Sequence, residues 1–245
     1  MTVQEIESQS IQESIKNGSA FWTDGKNVYY RRNQVPLKNA NPKNIWCWRD
    51  YAFDDKRIFL GNGLLRGISP AGFCVLNHAF VRTESHVVTK SGVIKCSMAD
   101  CVKVLDDGLW YGDEELSETN AKGYILVNED IWYEGHWSQG LVKLSRGNAE
   151  KFVSLKDGVL GMDDERVYAF GKIVRGASAK DFQKIKDSIQ YGYYTSNGYL
   201  YFEDTRMMHI SFPIENIQIG DKEGQYISVN GIEYYRDKEV KEWVE

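Results

Sequence analysis

The sequence predicts a mainly β protein, built from many short antiparallel hairpins in repeated units, with one short helix at its N terminus. Three observations carry this. Triplets of β-branched and aromatic residues recur between turn formers, a twenty-residue segment occurs twice, and helical periodicity is confined to the first residues.

In chain order, the helix comes first. Ile6, Ile11 and Ile15 lie on roughly one face, and Asn17-Gly18 supplies a stop, which predicts a helix over about residues 4–16 that covers one end of the fold. Strands follow at Val28-Tyr29-Tyr30, Ile58-Phe59-Leu60, Val87-Val88-Thr89 and Leu109-Trp110-Tyr111. Further along lie Ile131-Trp132-Tyr133, Val167-Tyr168-Ala169, Tyr199 to Phe202 and Ile232 to Tyr235. Between them stand Asp24-Gly25, Gly61-Asn62-Gly63, Ser91-Gly92, Asp107-Gly108, Ser196-Asn197-Gly198 and Asn230-Gly231. Such pairs supply the positive-φ residues of tight hairpin turns. The expected division is an N-terminal helix in residues 1–20, a β-repeat half over 21–140 and a second over 141–245, as two halves or one continuous domain.

The repeat is explicit. Asp54 to Phe73 aligns without a gap on Asp163 to Phe182, with identities at Asp54/Asp163, Asp55/Asp164, Arg57/Arg166, Arg66/Arg175, Gly67/Gly176, Ser69/Ser178 and Phe73/Phe182. Each copy reads as a turn, an aromatic strand, a second turn, an apolar strand and a Ser-x-x-x-Phe segment. A weaker copy runs from Asp24 through Val35-Pro36-Leu37 to Asn41-Pro42. A lone hairpin is barely stable in water, so stacked copies must share a core, and the aromatics are first of all core residues.

Asp24-Gly25-Lys26-Asn27-Val28-Tyr29-Tyr30, Asp55-Lys56-Arg57-Ile58-Phe59 and Asp164-Glu165-Arg166-Val167-Tyr168 resemble the strand entry of the DKNYY-repeat proteins, as do the Arg-Gly-x-Ser-x-x-x-Phe segments that follow. The resemblance implies a β-rich repeat scaffold without catalytic machinery and, for some members, kinship with bacterial toxin-immunity genes.

Composition narrows the partners. The 245 residues carry 30 Lys and Arg against 35 Asp and Glu, for a net charge of −5. A mildly acidic chain with dispersed charges is a poor phosphate binder, which argues against direct nucleic-acid contact. No apolar run reaches the roughly 18 residues of a membrane helix, and Met1 to Glu5 lacks the pattern of a signal peptide. The expected location is therefore cytoplasmic, with the four cysteines reduced.

Chemical motifs are sparse. Cys96-x₄-Cys101 has no second close ligand pair, and His78, His86, His136 and His209 are scattered, so no metal and no cofactor is expected. No serine sits in a Gly-x-Ser-x-Gly elbow. Asp54-Asp55, Asp106-Asp107, Asp163-Asp164 and Glu203-Asp204 are paired carboxylates, which glycosidases use. Three of the four lie at turns flanking an aromatic strand, where Asp caps the turn through its own backbone.

Two surface features remain. The acidic run with Asp113, Glu114, Glu115 and Glu118 follows Trp110, and Trp132 and Trp137 flank a Gly-His turn. Carboxylates beside aromatic anchors suit a cationic protein surface. The expected function is a non-enzymatic immunity protein, monomeric and in a one-to-one complex. It would neutralise a contact-dependent growth inhibition toxin, an RNA-cleaving domain, by occluding the active site through Trp110, Asp113, Glu114, Glu115, Glu118, Trp132 and Trp137. A carbohydrate- or cell-surface-binding β-repeat module and a carboxylate-pair hydrolase are the alternatives.

Overall fold

The computed structural model describes residues 4–5, 20–96, 101–105, 109–110, 121–135, 140–155, 159–185, 192–219, 226–235 and 238–239. Among them the strands form seven small antiparallel sheets, and the remaining regular structure is short 3-10 turns such as Ala179–Asp181 and Ile214–Asn216. Each segment read from the sequence contributes to a strand; Thr89 lies just past the end of strand His86–Val88, and Tyr111 lies outside the described residues. No helix of the described residues is long and apolar enough to cross a membrane.

The expected opening helix is not seen. Most of residues 4–16 lies outside the described residues, and Gln4–Glu5 forms a short strand paired with Trp46 and Cys47. Edge pairing satisfies the backbone groups of those two residues that a helix would have satisfied internally.

The two repeat copies have the same local structure. The offset is 163 − 54 = 109, and it maps strand Ile58–Leu60 on Val167–Ala169 and Gly63–Leu64 on Lys172–Ile173. The closing hydrogen bonds also match: Leu65 N–H to Ile58 O and Val174 N–H to Val167 O, both 2.9 Å. Each copy is two strands of a four-stranded meander. The preceding strands are Trp46–Trp48 and Tyr51–Phe53 in one case, and Val153–Ser154 and Leu160–Met162 in the other.

The chain divides into two compact units, Met1–Glu129 with Glu134–Leu141, and Asp130–Tyr133 with Val142–Glu245. Within the first, Phe21, Val28, Cys47, Ala52 and Phe59 form one core, and Trp48, Tyr51, Ile58, Val81 and Val88 form another. Neighbours in one strand point into different cores, Phe59 into the first and Ile58 into the second. Successive side chains on a strand face opposite ways, so a sheet buried on both faces needs apolar residues at every position. That is why the triplets show no polar alternation.

The second unit repeats this logic. Tyr194 and Tyr201 pack with Leu160, Val167 and Val174, whereas Tyr193 and Leu200 pack with Ile217 and Ile227. Tyr194 and Tyr201 stack with ring centroids 5.1 Å apart. The sheets that hold Ile58–Leu60 and Tyr199–Phe202 thus each close two cores, the arrangement that lets units too small to fold alone share stability.

The first unit carries one polar group that its core tolerates poorly. Glu134 is 2% exposed. Its Oε1 accepts the Ser91 hydroxyl at 2.6 Å, and its Oε2 has no hydrogen-bond partner among the described residues. Burial pushes the Glu134 carboxyl above its usual 4.5, against the pull of the Ser91 and Thr89 bonds. A carboxyl whose folded pKa is raised costs stability once pH climbs above the unfolded value, and the cost vanishes below it. Glu134→Gln keeps the Ser91 acceptor and removes the charge. Its melting temperature at pH 7 is expected to exceed the wild type by roughly 2–4 °C, corresponding to about 1 kcal/mol. The gain should fade as pH falls below 4.5, and a melt series across pH 3.5–7 checks it.

Candidate functional site

Strand entry is organised by one device used many times. Asp24 Oδ1 accepts the N–H groups of Lys26 and Asn27 at 2.8 and 2.6 Å. Asp54 Oδ1 accepts those of Lys56 and Arg57 at 2.8 and 2.7 Å, and Asp163 Oδ1 those of Glu165 and Arg166 at 2.9 and 2.7 Å. Asn77 does the same for Ala79 and Phe80, and Thr89 for Ser91 and Gly92. A side chain that captures N–H groups two and three residues ahead closes the turn without help from tertiary structure.

The buried aspartates do a second job. Asp54 Oδ2 accepts the Asn41 N–H at 3.1 Å, and Asp163 Oδ2 accepts the Asn148 N–H at 3.2 Å. Each carboxylate therefore ties its turn to the linker before it. Its arginine, Arg57 or Arg166, lies 3.5 or 3.8 Å from the same oxygen. Asp54 and Asp163 are 3% and 4% exposed, whereas Asp55 and Asp164 are exposed. The first acid of each pair is thus a turn staple.

Tyr168 donates its hydroxyl to Asp163 Oδ2 at 2.9 Å, and burial followed by that bond pushes its pKa to about 12. Phe59 holds the equivalent place beside Asp54 and has no hydroxyl to give. Tyr168→Phe is expected to cost about 1–1.5 kcal/mol, the net worth of one such bond, read as a shift in urea midpoint at unchanged slope.

The second unit holds a cavity of about 400 Å³. It is built where three segments converge. The Ser178–Phe182 segment closes on itself, with Ser178 Oγ accepting the Lys180 N–H at 3.2 Å, and brings Asp181 to the rim. The hairpin Tyr193–Ser196 to Tyr199–Phe202 turns on Asn197 and Gly198, with φ of 50° and 72°. That turn presents Thr195 and Ser196 to the cavity. The Ile210–Glu215 segment supplies an apolar wall of Ile210, Phe212 and Ile214 and a second carboxylate, Glu215.

Asp181 is held in place. Asn197 N–H donates to its Oδ2 at 2.8 Å, and the Ser196 hydroxyl lies 3.5 Å from Oδ1. The Ser196 hydroxyl itself accepts from Ser178 N–H at 2.8 Å and donates to Ser178 O at 2.9 Å. Oδ1 therefore retains acceptor capacity. None of the described lining residues is Lys, Arg or His, although His209 Nε2 would lie 3.7 Å from a Cβ at Gly198; the lining itself carries two carboxylates and an apolar wall.

The model of the DKNYY family matches residues 21–240. The chain belongs to the DKNYY family. No curated protein and no solved structure matches it. In this DKNYY chain the strand entries at Asp24, Asp54 and Asp163 are the side-chain-capped turns just described, so the family's acidic signature here serves local backbone closure. The second aromatic of the entry, Tyr30 in the first copy, is Leu60 or Ala169 in the other two.

The sequence-predicted patch is only partly placed. Asp113, Glu114, Glu115, Glu118 and Trp137 lie outside the described residues, as do Asp106 and Asp107. Trp110 sits in strand Leu109–Trp110, which pairs with Ala121 and Lys122. Trp132 lies in strand Asp130–Glu134, half-buried, with its indole Nε1 shielded and without an acceptor among the described residues. Among the described residues, no three His, Cys, Asp or Glu side chains converge as a metal site requires.

Sequence reading missed the cavity, since Asp181, Thr195 and Glu215 stand 14 and 20 residues apart with no motif spacing. The one local signal is Phe212-Pro213-Ile214-Glu215, an apolar run that ends in an acid.

Proposed function

We propose that this DKNYY-family chain is a non-enzymatic binding protein of the immunity type. It neutralises a cationic toxin domain, an RNA-cleaving one of contact-dependent growth inhibition, by covering its active site in a one-to-one complex in the cytoplasm. The observation that supports this most is how the acids are used. Asp54 and Asp163, the leading members of two paired carboxylates, are committed to backbone N–H groups, which weighs against a hydrolase built on those pairs. Other acids, Asp55, Asp164 and Glu215 among them, are exposed at the surface of a chain whose net charge is −5. Nucleases bind phosphate with clustered cations, and an acidic partner gains encounter rate from that field.

The test is co-expression with an untagged toxin domain encoded next to this chain. Recovery of a one-to-one complex and protection of RNA in the cell are expected. Neutralising Asp113, Glu114, Glu115 and Glu118 should lower the association rate and flatten its salt dependence. Truncating Trp110, Trp132 or Trp137 should speed dissociation by about 2 kcal/mol if that residue is an anchor. A chain that neither binds nor protects, and that instead binds immobilised glycans, would replace this reading with the carbohydrate module.

A further inference from the structure

We infer that the cavity between Asp181 and Glu215 is a receptor for an arginine side chain of a protein partner. The inference builds on the binding-protein reading above and names a contact point that reading lacks. Size, charge and wall chemistry agree on this occupant. A volume of about 400 Å³ lies within the roughly 300–1,000 Å³ of pockets that hold ligands, and far above the roughly 30 Å³ of one water. Two carboxylates sit at the rim, and Lys180 and Lys184, their sequence neighbours, are exposed and do not line it.

The acceptors suit a guanidinium. Asp181 Oδ1 has spare capacity, Glu215 is an exposed carboxylate, and the Gln183 amide oxygen and Thr195 hydroxyl add acceptor atoms to the lining. Arginine presents five donors in a planar fork, whereas lysine presents three on a compact, strongly hydrated ammonium. The methylene stem of an inserted arginine is covered by Ile210, Phe212 and Ile214, all half-buried and so already partly shielded from water. An aromatic wall favours the weakly hydrated guanidinium further. The anchor geometry also explains why the rim turn is tied so firmly. Asn197 clamps Asp181 through its N–H while its side-chain Nδ2 donates to Gly176 O at 2.7 Å, so the carboxylate is positioned before a ligand arrives.

The probe is N-acetyl-arginine methylamide, titrated into the full-length protein and followed by amide chemical shifts. Saturable shifts are expected at Thr195, Ser196, Gly198 and Ile214, with roughly millimolar affinity for so small a fragment. The citrulline analogue, an uncharged isostere, should bind at least about tenfold more weakly, as should the lysine analogue. Glu215→Gln alters an exposed side chain and leaves the fold intact. Asp181→Asn keeps an acceptor for Asn197. The double variant should lose at least about tenfold in affinity with an unchanged melting temperature. Absence of saturable shifts at those amides, equal binding of citrulline, or unaffected binding by a folded double variant overturns the proposal. Equal binding of lysine would make this a general cation site and overturn the arginine assignment. The titration contains no toxin, so a chain that fails to neutralise any toxin can still bind the probe, and a toxin-binding chain can fail this test alone.

Discussion

Asp163→Ala is expected to lose about 3–4 kcal/mol of stability, because three backbone donors are left without their acceptor and the Tyr168 hydroxyl keeps only the Arg146 carbonyl, at 3.3 Å. The N–H groups of Glu165 and Arg166 lose Oδ1, and the Asn148 N–H and Tyr168 hydroxyl lose Oδ2. The side chain is fully buried, so water cannot take its place without opening the turn. Asp164→Ala, one residue on and exposed, should change stability by under about 0.5 kcal/mol, although Asn148 Nδ2 reaches its Oδ1 at 3.2 Å. Asp163→Asn should fall between, since the amide oxygen keeps the two turn bonds while its NH₂ cannot accept from Asn148.

The same site predicts a pH dependence. Burial pushes the Asp163 carboxyl up, but the N–H groups of Glu165, Arg166 and Asn148 and the Tyr168 hydroxyl outweigh it and hold the group below its usual 3.8. A depressed folded pKa contributes stability that is complete above the unfolded value and lost as pH falls through the folded one. The gap between wild type and Asp163→Asn should therefore be full at pH 7 and close below pH 3.8. Urea unfolding at pH 7, 5 and 3 measures it. A gap that persists unchanged at pH 3 would remove the carboxylate's charge from the explanation.

Gly171→Ala is expected to cost about 2–4 kcal/mol, the sum of backbone strain and a steric clash. Its φ is +74°, and an added Cβ would lie 2.9 Å from Tyr133 Cβ and 3.2 Å from Val142 Cβ, side chains that cannot swing aside at that atom. Gly231 separates the two terms. Its φ is +80° with nothing within 4 Å of the added carbon. Gly231→Ala should cost about 1 kcal/mol, the strain alone. Chemical denaturation of both variants gives the difference. Equal losses would mean that the Tyr133 and Val142 contacts yield freely.

Much of the fold was legible because its rules are short-range. Asn197-Gly198 and Asn230-Gly231 both carry positive φ at both positions, as hairpin turns of that composition require. The identities of the two repeat copies predicted matching strands, and the strands match to the residue. Other hairpins gave no warning. Arg49 and Glu203 hold φ of about 50° in turns between strands, although nothing in those side chains favours the left-handed region. Their conformations are imposed by the strands on either side, so the strands Trp46–Trp48 and Thr205–His209 went unmarked. The helical pattern of Ile6, Ile11 and Ile15 misled at its start, where Gln4–Glu5 pairs along a sheet edge instead. Periodicity reports what a segment could bury, and a nearby open edge can claim the backbone first.

By itself the sequence determined the β class, the repeat, the side-chain-capped turns at Asp24, Asp54 and Asp163, and a net charge of −5. The strands and capped turns depend on residues within a few positions of one another, where backbone and side chain meet in any conformation of the chain, and the repeat and the charge need only comparison and counting of residues. Only the tertiary structure decided which core each face of a strand enters, that Glu134 sits 2% exposed with one oxygen unmatched, and that Asp54 and Asp163 bind linkers 13 and 15 residues back. It alone assembled Asp181, Thr195, Phe212 and Glu215 around one cavity. Those outcomes follow from how successive sheets stack, and stacking is settled by shape and burial summed over many residues, a quantity that no local spacing records.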